Sequence, residues 1–246
     1  MHDNVINKEK DNTMRKLIYI PIIHTNPDMG SIGKELIKKS VDLIGERKWQ
    51  LHTTTVVGYW NAIESFFEDC KLNVKGIKIY QDGMFVDGEP ALKIIQDGVK
   101  SGSKNSAIVS KLMGQGAQLI KTEDFKLVKK EYDCIHSIIH SKNSFQRFYF
   151  LLKYKILKPV ILLKRDKFIA NRIAETLGNN ETGILFIGAY HNIINKIPSD
   201  ITVVQLKEIA KIIKYQRTIH SGSEIETEQI EYLTQKIVPD DEDFNH

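Results

Sequence analysis

Short apolar runs alternate along this chain with longer stretches of helical spacing, and that alternation predicts an α/β fold. Five runs read as strands: Lys16 to Ile23 (KLIYIPII), Gly76 to Tyr80 (GIKIY), Ala117 to Lys121 (AQLIK), Gly183 to Ile187 (GILFI) and Thr202 to Leu206 (TVVQL). The fourth is apolar throughout between Thr182 and Gly188, as a strand buried on both faces of a parallel sheet should be. Pro21 removes a ladder donor from the first run, which places it near the strand end or at an edge. Between the runs, apolar residues recur at threes and fours. Ile32 to Ile44 reads as a helix capped by Ser31. Residues 46 to 72 read as mostly helix, because Trp49, His52, Val56, Trp60, Ile63, Phe67 and Cys70 keep that spacing; a strand at Thr53 to Val57 competes. Gly88-Glu89-Pro90 opens a helix to about Val99. Ser103 or Asn105 caps another to Met113. Helices follow over Phe125 to His140, Ser144 to Leu157 and Ile161 to Leu177, with Pro159 as a break between the last two. Lys207 to Tyr215 and Glu228 to Val238 complete the chain.

This pattern predicts a single α/β domain over residues 15–238, with a central, mostly parallel sheet covered by helices on both faces. Residues 1–14 read as a flexible N-terminal lead-in and 239–246 as an acidic tail.

Composition narrows the function classes. The 246 residues carry a formal charge of +4, with lysines spread rather than massed, so nucleic acid is not an expected partner. Two cysteines, Cys70 and Cys134, cannot build a disulfide framework, and no CxxC occurs. The N-terminal segment lacks the apolar core of a signal peptide, and no run approaches the ~20 residues of a membrane span. The reading is a cytoplasmic protein with no membrane partner.

If the strands run parallel, their C-terminal ends share one edge, where open α/β sheets bind ligands. His24, Asp82, Glu123 with Asp124, and His191 all follow strands. Two imidazoles and two or three carboxylates in one cleft suit a divalent metal, and equally suit acid–base catalysis. Plain alternatives stand beside each: a loop histidine, an Asp-Gly turn at Asp82-Gly83, and a helix start at Thr122-Glu123-Asp124 with Thr122 as cap. Arg165 lies between Leu162 and Ile169 on a packed helical face. A buried guanidinium needs an acceptor, so Arg165 is expected to reach Asp82, Glu123 or a bound anion. Arg172, seven residues on, shares that face. His136 and His140 lie one turn apart, but no HExxH pattern accompanies them. GxSxG and GxxxxGK[ST] are both absent.

Gly188-Ala189-Tyr190-His191 after an apolar strand is similar to the GxxH block of the TraB/Tiki-like proteins, a group related to the erythromycin-esterase and ChaN-like folds. Pro21-Ile22-Ile23-His24 resembles their N-terminal histidine segment without its glycine. Leu163 to Ile173 (LKRDKFIANRI) resembles their helix with an Arg-Asn pair, with Asp166 where Asn is usual. The blocks occur in the same order over residues 16–195. The resemblance implies an α/β sheet with one polar cleft and, in some members, metal-dependent peptidase or hydrolase activity. His24, Arg165 and His191 would be site residues.

The expected function is therefore a hydrolase of the peptidase or ester-hydrolase class, assisted by a divalent metal (manganese, cobalt or zinc). Its catalytic residues would be His24, His191, Glu123 and Arg165, and its metal ligands His24, His191, Asp82 and Glu123. The expected partner is a small molecule or peptide, and homo-oligomers are compatible with the chain. The alternative is a non-catalytic ligand-binding or sensor protein using the same cleft.

Overall fold

Five parallel strands form one sheet in the order β3-β2-β4-β1-β5. They are β1 (Arg15–Ile22), β2 (Lys78–Gln81), β3 (Gln118–Ile120), β4 (Thr182–Gly188) and β5 (Ile201–Gln205). This computed structural model describes residues 15–25, 27, 33–70 and 72–239. The predicted lead-in 1–14, the Ser31 cap and all of the acidic tail except Pro239 lie outside the described residues.

The central strands are apolar throughout because both of their faces are covered. Alternate side chains point to opposite layers. Ile18, Ile20 and Ile22 of β1 join Ile79, Ile184 and Phe186 on one face. Leu17, Tyr19, Tyr80, Leu185 and Ile187 occupy the other. The first face packs against residues of α2 (Glu46–Asp69), α3 (Gly88–Lys100), α4 (Lys104–Gly114), α7 (Ile209–Ser221) and α8 (Thr227–Thr234). The second packs against the C-terminal part of α6 (Ser144–Thr176) through Ile169, Ala170 and Ile173. The remaining helices are α1 (Gly33–Ile44) and α5 (Phe125–Ile139), the latter lying along α6.

Pro21 lies near the end of an interior strand, not at an edge. Its partner on the β4 side is Ile187, but pairing with β5 stops at Tyr19 opposite Gln205. The missing N–H therefore falls where one ladder has already ended. The carbonyls beyond that point still need donors, and α2 supplies them. The Tyr59 hydroxyl donates to the Pro21 carbonyl, and Trp60 Nε1 donates to that of Ile23 at 3.1 Å. Both aromatic residues are fully buried. This clamp fixes the chain immediately before His24. The helical spacing of 46–72 thus prevails over the β propensity of its Thr-Val run.

One expectation fails. Pro159 does not divide two helices; α6 runs unbroken from Ser144 to Thr176. Proline in a helix interior costs about 3 kcal/mol. Packing on both sides of it holds the helix. Phe150 and Leu157 line a groove against α5, Tyr154 hydrogen-bonds Glu131 of α5 at 2.9 Å, and Ile161, Ile169 and Ile173 are buried. The last two helices also shift: α7 starts two residues after Lys207 and reaches Ser221, and α8 ends at Thr234.

Candidate functional site

Asp82, His191 and His24 follow three adjacent strands, β2, β4 and β1, so the sheet delivers them side by side. Each exit is tied down. Asp82 N–H donates to the Phe186 carbonyl at 2.8 Å, and Thr122 Oγ1 accepts from Gln81 N–H at 3.0 Å. The N–H groups of Thr122 and Glu123 both donate to the Met84 carbonyl, at 2.8 and 2.9 Å, which binds the β3 exit to the β2 exit. His191 N–H closes a turn onto the Gly188 carbonyl at 3.0 Å.

The cleft above these exits has a volume of about 390 Å³. Its floor is polar: His24, Asp82, Arg165 and His191. Val128, Ile135 and Leu162 of α5 and α6 make apolar walls, with Tyr132 and Tyr190 beside them. Lys158 sits over the Tyr190 ring, 5.4 Å from its centre.

Arg165 is 7 % exposed and holds three carboxylates. Its Nη2 donates to Asp82 Oδ1 at 2.6 Å, its Nε to Glu123 Oε2 at 3.1 Å and its Nη2 also to Glu123 Oε1. Its Nη1 pairs with Glu131 of α5. Burial opposes the charge, but Glu123, Asp82 and Glu131 outweigh it and raise the guanidinium pKa further. Burial pushes the fully buried Glu123 upward, against the pull of Arg165. Burial would also raise Asp82, yet His191, Arg165, His24 and the Gly188 N–H hold its pKa far below the ordinary carboxylate range.

His191 is the second organised group. Its Nδ1 lies 2.6 Å from Asp166 Oδ1. Asp166 Oδ2 accepts from the Asn192 N–H at 3.1 Å and faces Lys196 Nζ at 3.5 Å. Burial disfavours charge on the imidazole, but the bond to Asp166 and the charge of Asp82 prevail and raise its pKa. With Nδ1–H given to Asp166, Nε2 turns toward Asp82 Oδ2, 3.8 Å away. His24 Nε2 approaches the same oxygen at 3.8 Å. Both distances exceed a direct hydrogen bond. Gly188 keeps the gap open: a Cβ there would lie 3.1 Å from Asp82 Oδ2, 3.5 Å from His191 Cδ2 and 3.7 Å from His24 Nε2.

The donor set fits a divalent cation. Asp82, Glu123 and His191 bring ligand atoms within 4.8 Å of one another. Glu123 is a poor ligand, however, since Arg165 binds both of its oxygens. His24 Nε2 and His191 Nε2 each lie 3.8 Å from Asp82 Oδ2, and imidazole nitrogen with carboxylate oxygen is the donor chemistry that zinc, cobalt or manganese takes. The Asp166–His191 contact is the kind of outer carboxylate that orients a ligating imidazole.

The structure therefore brings His24, Asp82, Glu123, Arg165 and His191 together. It places other candidates elsewhere. Asp124, not Thr122, caps α5, accepting from Leu127 N–H at 3.0 Å. Arg172 donates to the Lys121 carbonyl at 3.2 Å and pairs with Glu175, away from Arg165. His136 and His140 stack at 3.9 Å, and His140 lies 3.5 Å from Glu35. Two site residues escaped the sequence reading, Glu131 and Asp166. Asp166 had a signal: it shares a buried stripe with Arg165, Ile169, Ala170 and Ile173, whereas Lys164 and Lys167 are exposed. Glu131 had none, because only the packing of α5 on α6 brings it to Arg165.

Comparison with family models, with curated proteins and with solved structures finds no match for this chain.

Proposed function

We propose that this protein is a hydrolase whose centre is the His24–Asp82–His191 group, assisted by a divalent metal. One observation carries the reading. Two imidazole nitrogens each face Asp82 Oδ2 at 3.8 Å, too long for a direct hydrogen bond, at the floor of an open cleft. A water or a cation shared between them would bridge such a gap. A metal held by His24, Asp82 and His191 would activate water and polarise a substrate carbonyl.

The chain's own residues do the rest. Asp166 holds His191 Nδ1 and leaves Nε2 facing Asp82, the orientation that a ligating imidazole needs. Arg165 and Gly188 each hold one Asp82 oxygen, which leaves the carboxylate ionised and aimed. Glu123 supports Arg165 and does not itself face the cleft. The apolar walls from α5 and α6 exclude water from one side of the substrate.

The distant TraB/Tiki-like relationship belongs to this proposal. The meeting of His24, Arg165 and His191 in one cleft supports it, and Asp166, which replaces the usual Asn, orients His191. Cys70 and Cys134 form no disulfide with each other, in keeping with a cytoplasmic setting. Among the described residues no helix is long and apolar enough to cross a membrane.

The test is metal content of the purified protein, followed by a panel of esters, peptides and phosphate esters with and without manganese, cobalt or zinc. Stoichiometric metal and turnover that falls about 100-fold or more in His191→Gln would support the reading. The contact of Arg165 with three carboxylates favours a second reading, a ligand-binding protein with a structural charge cluster. A metal-free protein that binds a small ligand without converting it would establish that one instead.

A further inference from the structure

The N-terminal two-thirds of α6 carries an apolar stripe that the described residues leave largely exposed. Phe145, Phe148, Leu152, Ile156, Val160 and Leu163 are spaced at threes and fours, so they share one helical face. They are exposed by 81, 65, 49, 66, 50 and 48 % respectively. The stripe runs about 27 Å along the helix at 1.5 Å per residue. A continuous exposed apolar surface of this kind marks an interaction site.

Charge identifies the occupant. From Cys134 to Arg165 the chain has no Asp or Glu. Lys155 borders the stripe on one side, and Lys153 and Lys164 border it on the other. A second copy laid stripe to stripe would set lysines against lysines. Beside the stripe, α5 and α6 enclose an open groove of about 370 Å³ whose rim carries Lys126, Lys129, Lys130 and Lys153, with Lys129 tied to Asp133. Phe125, Phe150 and Leu157 form its apolar interior. Lys153 belongs to both features. Aromatic and aliphatic residues in one stripe, basic flanks and the absence of acids are the composition of a helix that lies in a lipid interface.

We propose that the α5–α6 pair docks on an anionic phospholipid surface, with the α6 stripe in the interface and the flanking lysines against the headgroups. The expectation that this chain has no membrane partner is thereby revised: it considered only spans, and a peripheral helix needs none. The inference is independent of the chemistry in the cleft.

The experiment is flotation of the full chain with vesicles of phosphatidylcholine alone or mixed with phosphatidylserine. Binding is expected only where phosphatidylserine is present, and it should weaken as salt rises. The double substitution Phe148→Ser and Ile156→Ser should abolish flotation while leaving the circular dichroism and melting temperature unchanged, since both positions are exposed. Neutralising Lys153, Lys155 and Lys164 to Gln should lower the partition on the order of a hundredfold, about fivefold per lysine. Three results would overturn the proposal: no preference for phosphatidylserine, flotation that survives the double Ser substitution, or a lipid-free homodimer that the same substitution dissociates.

Discussion

Arg165→Ala removes one side chain and strands three carboxylates. Among the described residues the guanidinium supplies the one strong positive contact to Glu123, which is fully buried, and it also binds Asp82 at the β2 exit and Glu131 of α5. Breaking a buried ion pair by deleting one partner costs about 3 to 5 kcal/mol, because the remaining charge is left uncompensated. For a chain of this length that corresponds to a melting-temperature loss of roughly 6 to 20 °C. The deficit should depend on pH. Glu123 already has a raised pKa in the fold. A carboxyl group raised in the folded state opposes folding as pH rises through its unfolded value, and the penalty is absent where both states are protonated. Without Arg165 the rise is larger, so the variant's deficit should be greatest near neutrality and shrink as the pH falls toward 4 and below. Calorimetry or chemical denaturation across that range measures it. Arg165→Lys should recover only part of the loss, because one ammonium cannot reproduce the fork. Adding Glu123→Gln to the Ala variant should also recover part of it, since the stranded charge is then gone. An Arg165→Ala protein that melts with its parent, at every pH, would refute the idea that the guanidinium organises the cleft.

Asp166→Ala should weaken zinc or manganese binding about 10- to 100-fold, as loss of an orienting carboxylate does, with titration calorimetry as the measurement; unchanged affinity would remove His191 from the ligand set. Tyr59→Phe deletes the donor to the Pro21 carbonyl and should cost about 1 to 3 kcal/mol by denaturant melting, the penalty of an unpaired buried carbonyl. Lys207, 4 % exposed, donates to the carbonyls of Tyr232 and Gln235 at 2.8 and 3.1 Å, and burial followed by the nearby Lys211 lowers its pKa to about 8. The unfolded chain then holds more protons between about pH 8 and the ordinary lysine value, so this group should make stability rise with pH across that window and leave it flat below; comparison with Lys207→Met isolates the slope, and equal slopes would count against the assignment.

The sheet was legible because its central strands bury both faces, and a continuous apolar run such as GILFI has few other uses in a chain with helical spacing on either side. The strand exits were legible for the same reason: once parallel strands are placed, their C-terminal residues must share an edge, and His24, Asp82, Glu123 and His191 follow. Arg165 was legible from its position between Leu162 and Ile169. What stayed hidden depends on tertiary contacts. Local propensity argues for a break at Pro159, and only the packing of α6 against α5 and the sheet overrides it. Thr122 and Asp124 are equally good caps on paper; Thr122 is instead consumed by the β2 exit, where it accepts from Gln81. Asp166 sits in a Lys-Arg-Asp-Lys run, a composition ordinarily found on a solvated face, yet two of those four residues turn inward.

The charge balance of the cleft ties these residues to one chemistry. Among the described residues, Asp82, Glu123, Glu131 and Asp166 are met in direct contact by two permanent cations, Arg165 and Lys196. Four carboxylates against two cations leave a formal excess of two negative charges when both imidazoles are neutral. The raised pKa of His191 is one expression of that excess, because Asp166 and Asp82 overcome burial and favour a proton on the ring. Protons are one way to balance the site, and a divalent cation is the other. The second choice has a place to act, because the excess is not spread evenly. Arg165 screens Glu123, Glu131 and one oxygen of Asp82, whereas Lys196 reaches only Asp166. Asp82 Oδ2 accepts the Gly188 N–H at 3.0 Å and is the atom that both Nε2 nitrogens face across the space Gly188 leaves open. A cation bound there would displace the proton that His191 favours, so metal uptake should release protons to the buffer. The same asymmetry explains why a site so rich in carboxylates needs its arginine: without Arg165 the excess would be spread through the cluster, and no single oxygen would be singled out for a ligand.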